Sequence, residues 1–229
     1  MTDDLNRWKQ AAAESAAAQV SNGMIVGLGS GSTAAFAVQA LGRRTREGLR
    51  ITGIPTSERT AALARSLEIP LSTLDEHPKI DVTIDGADEV ETGSLNLIKG
   101  HGGALLREKI VAEASERLVI VVDQTKIVDR LGTRESVPVE VIPFGWQAAA
   151  LKIRDLGAHP LLRKGPDGEP FKSDSGHYIL DCAFGPIASA QSLADALDHI
   201  VGVVEHGLFI ALTSEVRVGA DDGVRVIAG

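Results

Sequence analysis

Hydrophobic and polar positions alternate on two length scales along this chain. Short, mostly apolar runs stand at residues 24–28, 51–54, 80–84 and 118–122, each the length of a buried strand. Between them, residues 34–41, 58–67 and 104–115 show apolar positions at helical spacing, and residues 2–20 form a further helical stretch at the start. Thr2 can cap that first helix, Asp3 and Asp4 suit its positive end, and Asn22-Gly23 stops it. Strands that are apolar almost throughout, separated by helices, predict a parallel sheet covered on both faces.

The pattern changes after about residue 131. Val137, Val139 and Val141 alternate with other residues as in a half-buried strand. A helix over 144–156 ends at Gly157, followed by a short strand at 158–162, a Gly/Pro-rich loop at 163–170, a strand at 178–182, a helix at 189–200 and a strand start at 203–204. That βαββαβ order predicts a small split α+β domain of ferredoxin-like type. The apolar stretches at 208–212, 216–218 and 224–227 are expected to return to the large sheet. The fold class is therefore α/β: a Rossmann-like open, parallel-type sheet domain (residues 1–131 plus 208–229) with a smaller α+β domain (132–207).

Composition narrows the function classes. Of 229 residues, 44% are hydrophobic and only 3% aromatic, and 23 Lys and Arg face 31 Asp and Glu for a net charge of −8. An acidic chain without basic clusters argues against a nucleic-acid or anionic-membrane partner. No apolar run approaches the roughly 20 residues that span a bilayer. The polar, acidic start does not read as a secretory signal, and the lone Cys182 fits a reducing cytoplasm. One cysteine also makes a disulfide framework or a multi-cysteine zinc site impossible within the chain. Cys182 lies among apolar neighbours and reads as core.

Chemistry gathers where strands end, which is where open α/β sheets bind ligands. Gly29-Ser30-Gly31-Ser32-Thr33 follows a strand and opens a helix, an arrangement of amides and hydroxyls that suits a phosphate or simply caps the helix. It lacks the Gly-Lys-Ser/Thr of a Walker loop and the spacing of a dinucleotide loop. Thr56-Ser57 follows the next strand. Asp85-Gly86-Ala87-Asp88-Glu89 sets three carboxylates in five residues, either a solvated turn or a group that binds hydroxyls and shifts its own pKa values. A metal there is disfavoured, because no further ligand stands at suitable spacing. Lys99-Gly100-His101-Gly102-Gly103 combines a cation with flexible amides before a helix. On that helix Leu106, Ile110 and Ala114 form the expected buried stripe, with Glu108 roughly 200° from Leu106. By default Glu108, His101 and Lys126 read as surface residues.

Together these segments resemble type A ribose-5-phosphate isomerases. The resemblance rests on residues 27–34, 81–89, 97–109 and 137–143 and runs from about residue 5 to the C-terminus. His101 stands where that family commonly has Gly, and Ser30 where it often has Thr. The resemblance implies interconversion of D-ribose 5-phosphate and D-ribulose 5-phosphate through an enediolate, in the non-oxidative pentose phosphate pathway. It implies Glu108 as the proton shuttle, Lys99 as the charge partner, and Asp85 and Asp88 as further catalytic groups. Ser30, Gly31, Ser32, Thr33, Asp85, Gly86, Ala87, Asp88, Lys99, Gly100, His101, Gly102 and Lys126 become substrate-binding residues. It implies no cofactor and no metal, a cytoplasmic homodimer or homotetramer, and a small sugar phosphate as the only partner besides its own copies. The alternative is a non-catalytic sugar-phosphate-sensing domain. That reading needs a DNA-binding module, for which the stretch before the first strand leaves no room. Acyl transfer of the coenzyme A transferase kind shares the fold class but finds no matching stretch here.

Overall fold

A computed structural model describes residues 2–228, without the side chain of Thr2, so the capping expected of Thr2 falls outside the described residues. The chain opens with α1 (Thr2–Ala17), β1 (Ile25–Leu28), α2 (Ser32–Arg46), β2 (Thr52–Pro55), α3 (Glu58–Ser66) and β3 (Val82–Asp85). It continues through β4 (Glu89–Glu91), β5 (Leu97–Ile98), α4 (Leu105–Glu113), β6 (Leu118–Asp123), a 3-10 turn (Gln124–Lys126) and β7 (Ile127–Val128). Next come β8 (Val137–Val141), α5 (Trp146–Asp155), β9 (His159–Leu162), β10 (Tyr178–Ala183) and α6 (Ala190–Asp198). The last strands are β11 (Val203–His206), β12 (Leu208–Phe209), β13 (Glu215–Ala220) and β14 (Gly223–Ala228).

Two compact units result. The first comprises the residues up to Ala87, Arg107–Ile127, and those from Leu212 onward. Its six-stranded sheet has the order β14-β13-β6-β3-β1-β2. All pairings are parallel except the terminal β13–β14 hairpin. The apolar runs behave as a parallel sheet requires: every residue of β6 is buried. Alanine lets α1 approach closely, and Ala12, Ala13, Ala16 and Ala17 sit in the core with Val26, Leu28, Val119 and Val121.

The second unit comprises Asp88–Leu106 and Val128–Ala211. One of its sheets has the order β11-β8-β10-β9, all antiparallel, the fourth-first-third-second order of a ferredoxin-like split unit. Val137, Val139 and Val141 point to its core with Ile153, Leu180, Cys182 and Leu197. A second small sheet, β12-β5-β4-β7, was not foreseen from the sequence. It explains two differences from the sequence reading. Residues 88–106 fall in the second unit, because β4 and β5 pair with each other and with β12. Leu208 and Phe209 pair with Ile98 and Leu97 instead of rejoining the large sheet. Strands of two or three residues carry no alternation to read.

Candidate active site

In the first unit, β6, β3, β1 and β2 are parallel neighbours, so the loops after them leave the sheet at its carboxyl edge. Gly29 ends β1 by donating its N–H to Ile84 O at 3.0 Å. It lies flat against the start of the next loop: a Cβ there would come 2.3 Å from Asp85 Oδ1. Asp85 is 1% exposed. Its Oδ1 accepts the Ser30 N–H at 3.0 Å and the Gly86 N–H at 2.7 Å. The Ser30 hydroxyl is buried among those of Thr56 (2.8 Å), Ser57 (2.7 Å) and Thr60 (3.1 Å). Thr60 in turn donates to Gly29 O at 3.0 Å. Thr60 was missed in the sequence; its signal is the spacing of three from Ser57, which caps α3 by accepting the Thr60 N–H at 3.1 Å.

The remainder of that loop serves a helix start. Gly31 precedes α2 at φ 99°, Ser32 is exposed, and Thr33 is buried. Lys9 Nζ donates to Ser32 Oγ at 3.3 Å. A helix N-terminus carrying a nearby ammonium favours an anion. Lys126 closes the 3-10 turn after β6, where Asp123 accepts the Thr125 N–H at 3.0 Å, and it is half-buried.

Helix α4 overturns one expectation. Glu108 is 4% exposed and Ile110 is 49% exposed. The buried face runs through Leu105, Glu108, Val111 and Ala112, a spacing of three and four that places a carboxylate where the core faces. Leu106 and Ala114 are only half-buried. The stripe read from the sequence, Leu106–Ile110–Ala114, is therefore not the one the helix buries. Apolar residues occur on both faces of this short helix, so the pattern could not choose between them.

In the second unit, Lys99 follows β5 and is 3% exposed. Its N–H donates to Gly207 O at 2.8 Å, and its Nζ lies 5.4 Å from the centroid of the Phe209 ring. The Gly-rich loop then turns sharply: Gly100 has φ 108° and accepts the Gly103 N–H at 3.0 Å. His101 and Gly102 are exposed. The His101 N–H donates to Asp88 Oδ2 at 3.1 Å, and its ring Nε2 lies 3.0 Å from Ser136 O.

The carboxylates of the 85–89 turn thus have separate duties. Asp85 fastens the loop after β1, Asp88 the Gly-rich loop, and Glu89 the turn at Gly132, Arg134 and Glu135, whose N–H groups it accepts at 2.6, 2.6 and 3.0 Å. Among the described residues, one group has metal-ligand composition: Asp198, Glu205 and His206. There His206 Nδ1 accepts the Leu208 N–H at 3.2 Å, which leaves its Nε2 to carry the proton toward Asp198 Oδ1 at 3.2 Å. No described helix is long and apolar enough to cross a membrane.

The family model for ribose 5-phosphate isomerase A (phosphoriboisomerase A) matches residues 52–223. The chain belongs to that family. Ribose-5-phosphate isomerase A of Synechococcus sp. (strain JA-3-3Ab) is 56% identical over 220 residues, covering 96% of both chains. That of Gloeobacter violaceus is 58% identical over 224 residues, covering 98% of this chain and 97% of the other. The solved ribose 5-phosphate isomerase A of Methanocaldococcus jannaschii superposes with a TM-score of 0.94 at 40% identity, covering 97% of this chain and 99% of that one. A D-ribose-5-phosphate isomerase solved in complex with phospho-erythronic acid gives a TM-score of 0.95 at 36% identity, covering 98% and 99%. The ribose 5-phosphate isomerase A family thus accounts for both units of the fold. Within it, the residues anticipated from sequence divide between the units. Ser30–Thr33, Asp85–Ala87, Glu108 and Lys126 lie in the first, and Asp88 and Lys99–Gly102 in the second.

Proposed function

We propose that Glu108 is the proton shuttle with which this isomerase interconverts D-ribose 5-phosphate and D-ribulose 5-phosphate. The observation that carries the reading is the burial of Glu108 on the core-facing side of α4, in a chain of this family. Carboxylates are almost never buried on an apolar face without a paired or functional reason.

Aldose–ketose exchange requires that a proton leave C2 of the open-chain aldehyde and return to C1. A single carboxylate can do both: it takes the C2 proton, holds it while the C1–C2 enediolate exists, and delivers it to C1, while the hydroxyl proton on O2 passes to O1 so that the carbonyl moves from C1 to C2. A buried base also keeps that proton from exchanging freely with solvent. The enediolate oxygen carries negative charge and needs a fixed positive partner. Lys99, itself buried, and the Gly-rich loop amides fill that role. Asp85 assists opening of the cyclic sugar, and Asp88 orients a hydroxyl. Gly31, Ser32 and Thr33 at the start of α2 receive the phosphate, with Lys126 as a further cation. Ser30 supports that loop through its buried hydroxyl contacts. The hydrogen moves as a proton within one substrate, so the reaction requires neither a redox cofactor nor a metal. A cytoplasmic homodimer or homotetramer belongs to the same proposal and rests on family membership.

The test is product detection with ribose 5-phosphate after chelator treatment. Ketose formed at full rate supports the reading, whereas binding without ketose is the behaviour of a sensor. Glu108→Gln should lose at least roughly 10²-fold in turnover with substrate still bound; near-parental turnover removes Glu108 from the mechanism. Lys99→Ala should cost more turnover than alanine at the exposed Lys79. Phospho-erythronic acid should compete with ribose 5-phosphate in the parent protein.

A further inference from the structure

We infer that Arg163 is a positioning residue that sets the peptide planes of the Gly-rich loop, a role that rests on the proposed function of that loop. Arg163 follows β9, in a stretch whose sequence reads only as a Gly/Pro-rich loop. Its guanidinium spans two structures of the second unit. On one side Nε donates to Asp181 Oδ2 at 3.0 Å and Nη2 donates to Asp181 Oδ1, a two-pronged pair with a side chain of β10. On the other side Nη1 donates to Gly100 O at 3.0 Å and to His101 O at 3.1 Å. The guanidinium also stacks 5.9 Å from the centre of the Phe171 ring, and Phe171 packs against Gly103. Its side chain is only 14% exposed.

The consequence follows from amide planarity. In a trans peptide the carbonyl and the following N–H point in opposite directions. With the carbonyls of Gly100 and His101 both turned to Arg163, the N–H groups of His101 and Gly102 turn away from it. The His101 N–H then meets Asp88 Oδ2. The Gly102 N–H is left on the same side, as a donor for an oxygen that gains negative charge. Gly100 at φ 108° and an exposed Gly102 have little intrinsic preference for one orientation; the Gly103 N–H holds the Gly100 carbonyl from within the loop, and Arg163 adds the constraint from outside on both carbonyls. The planar fork of Arg suits the task, since it can hold a carboxylate on one edge and two carbonyls on the other. The ammonium of Lys is a single point that cannot do both. Asp181 anchors the clamp to the sheet and balances its charge, so that Arg163 acts by geometry rather than as a cation toward the phosphate.

The experiment compares Arg163→Ala, Arg163→Lys and Asp181→Asn with the parent protein. It reads kcat, KM for ribose 5-phosphate and the thermal midpoint, with and without millimolar guanidinium chloride. Misplaced catalytic donors cost up to about 100-fold. Arg163→Ala should therefore lose about 10- to 100-fold in kcat with KM changed by less than about threefold. Guanidinium should restore several-fold of that loss, and Arg163→Lys should stay impaired. A kcat within about twofold of the parent overturns the inference. So does a loss that merely follows the folded fraction without guanidinium rescue, and so does full activity with Lys. Should Arg163→Ala not fold, Asp181→Asn decides: it keeps the guanidinium but removes its anchor, and an unchanged kcat overturns the clamp. Glu108→Gln and Lys99→Ala are measured alongside. If those two leave turnover intact, the reading of the site has failed; if they abolish it while the Arg163 and Asp181 variants do not, only the clamp has.

Discussion

A methyl group added at position 29 would stand 2.3 Å from Asp85 Oδ1 and 2.5 Å from Asp85 Cα. Backbone and carboxylate cannot both yield, so Gly29→Ala should destabilise by about 1–3 kcal/mol, the usual cost of overpacking. A urea midpoint measures this directly, and a midpoint equal to the parent's would show that the loop has slack. Turnover should fall as well, because Asp85 holds the Ser30 N–H from that position. Cys182 gives the opposite kind of residue-level prediction. Burial pushes its thiol far above the ordinary range, and the Asp181 charge adds to the shift. Thiolate is the reactive form. Iodoacetamide should therefore label this protein only when denaturant unfolds it; rapid labelling of the native protein would mean that the core sheet opens readily. That Cys182 is core was legible in the sequence from its apolar neighbours. That Glu108 is buried was not, because the same neighbours fit two helix faces.

Helix α4 shows at the scale of an element what decides between those faces. Leu105→Ala should cost about 2–5 kcal/mol, as deletion of a fully buried leucine does. Ile110→Ala should stay within about 0.5 kcal/mol, as at a surface position. Equal effects in chemical denaturation would contradict the observed orientation. Strand β13 contributes one element of the pH dependence through Glu215. Burial raises the Glu215 carboxyl, but hydrogen bonds from Gln19 and Arg217 and the charges of Arg217 and Arg117 together hold it below its ordinary 4.5. A carboxyl depressed in the folded state contributes stability that is present above its unfolded pKa and is lost as pH falls through the folded one. Glu215→Gln should therefore flatten the fall in stability between about pH 5 and pH 3, with the difference from the parent largest at neutral pH. Parallel stability curves for the two proteins would remove Glu215 from the acid response.

Across the whole molecule, the chain passes between its two units after Ala87, Leu106, Ile127 and Ala211. Three of those passages lie beside residues proposed above for catalysis or binding: Asp85 and Asp88, then Lys99 and Glu108, then Lys126.

The amino-acid sequence by itself determined the parallel sheet, the split ferredoxin-like unit and the loops that end strands. These follow from local alternation, helical spacing and Gly-rich punctuation, which a few neighbouring residues encode. It also carried the family signatures through residues 81–89 and 97–109. Only the tertiary structure decided which face of α4 enters the core, where strands as short as Leu97–Ile98 find partners, and that Arg163 reaches back over sixty positions to the carbonyls of Gly100 and His101. Such contacts join residues distant along the chain, and no local period records them.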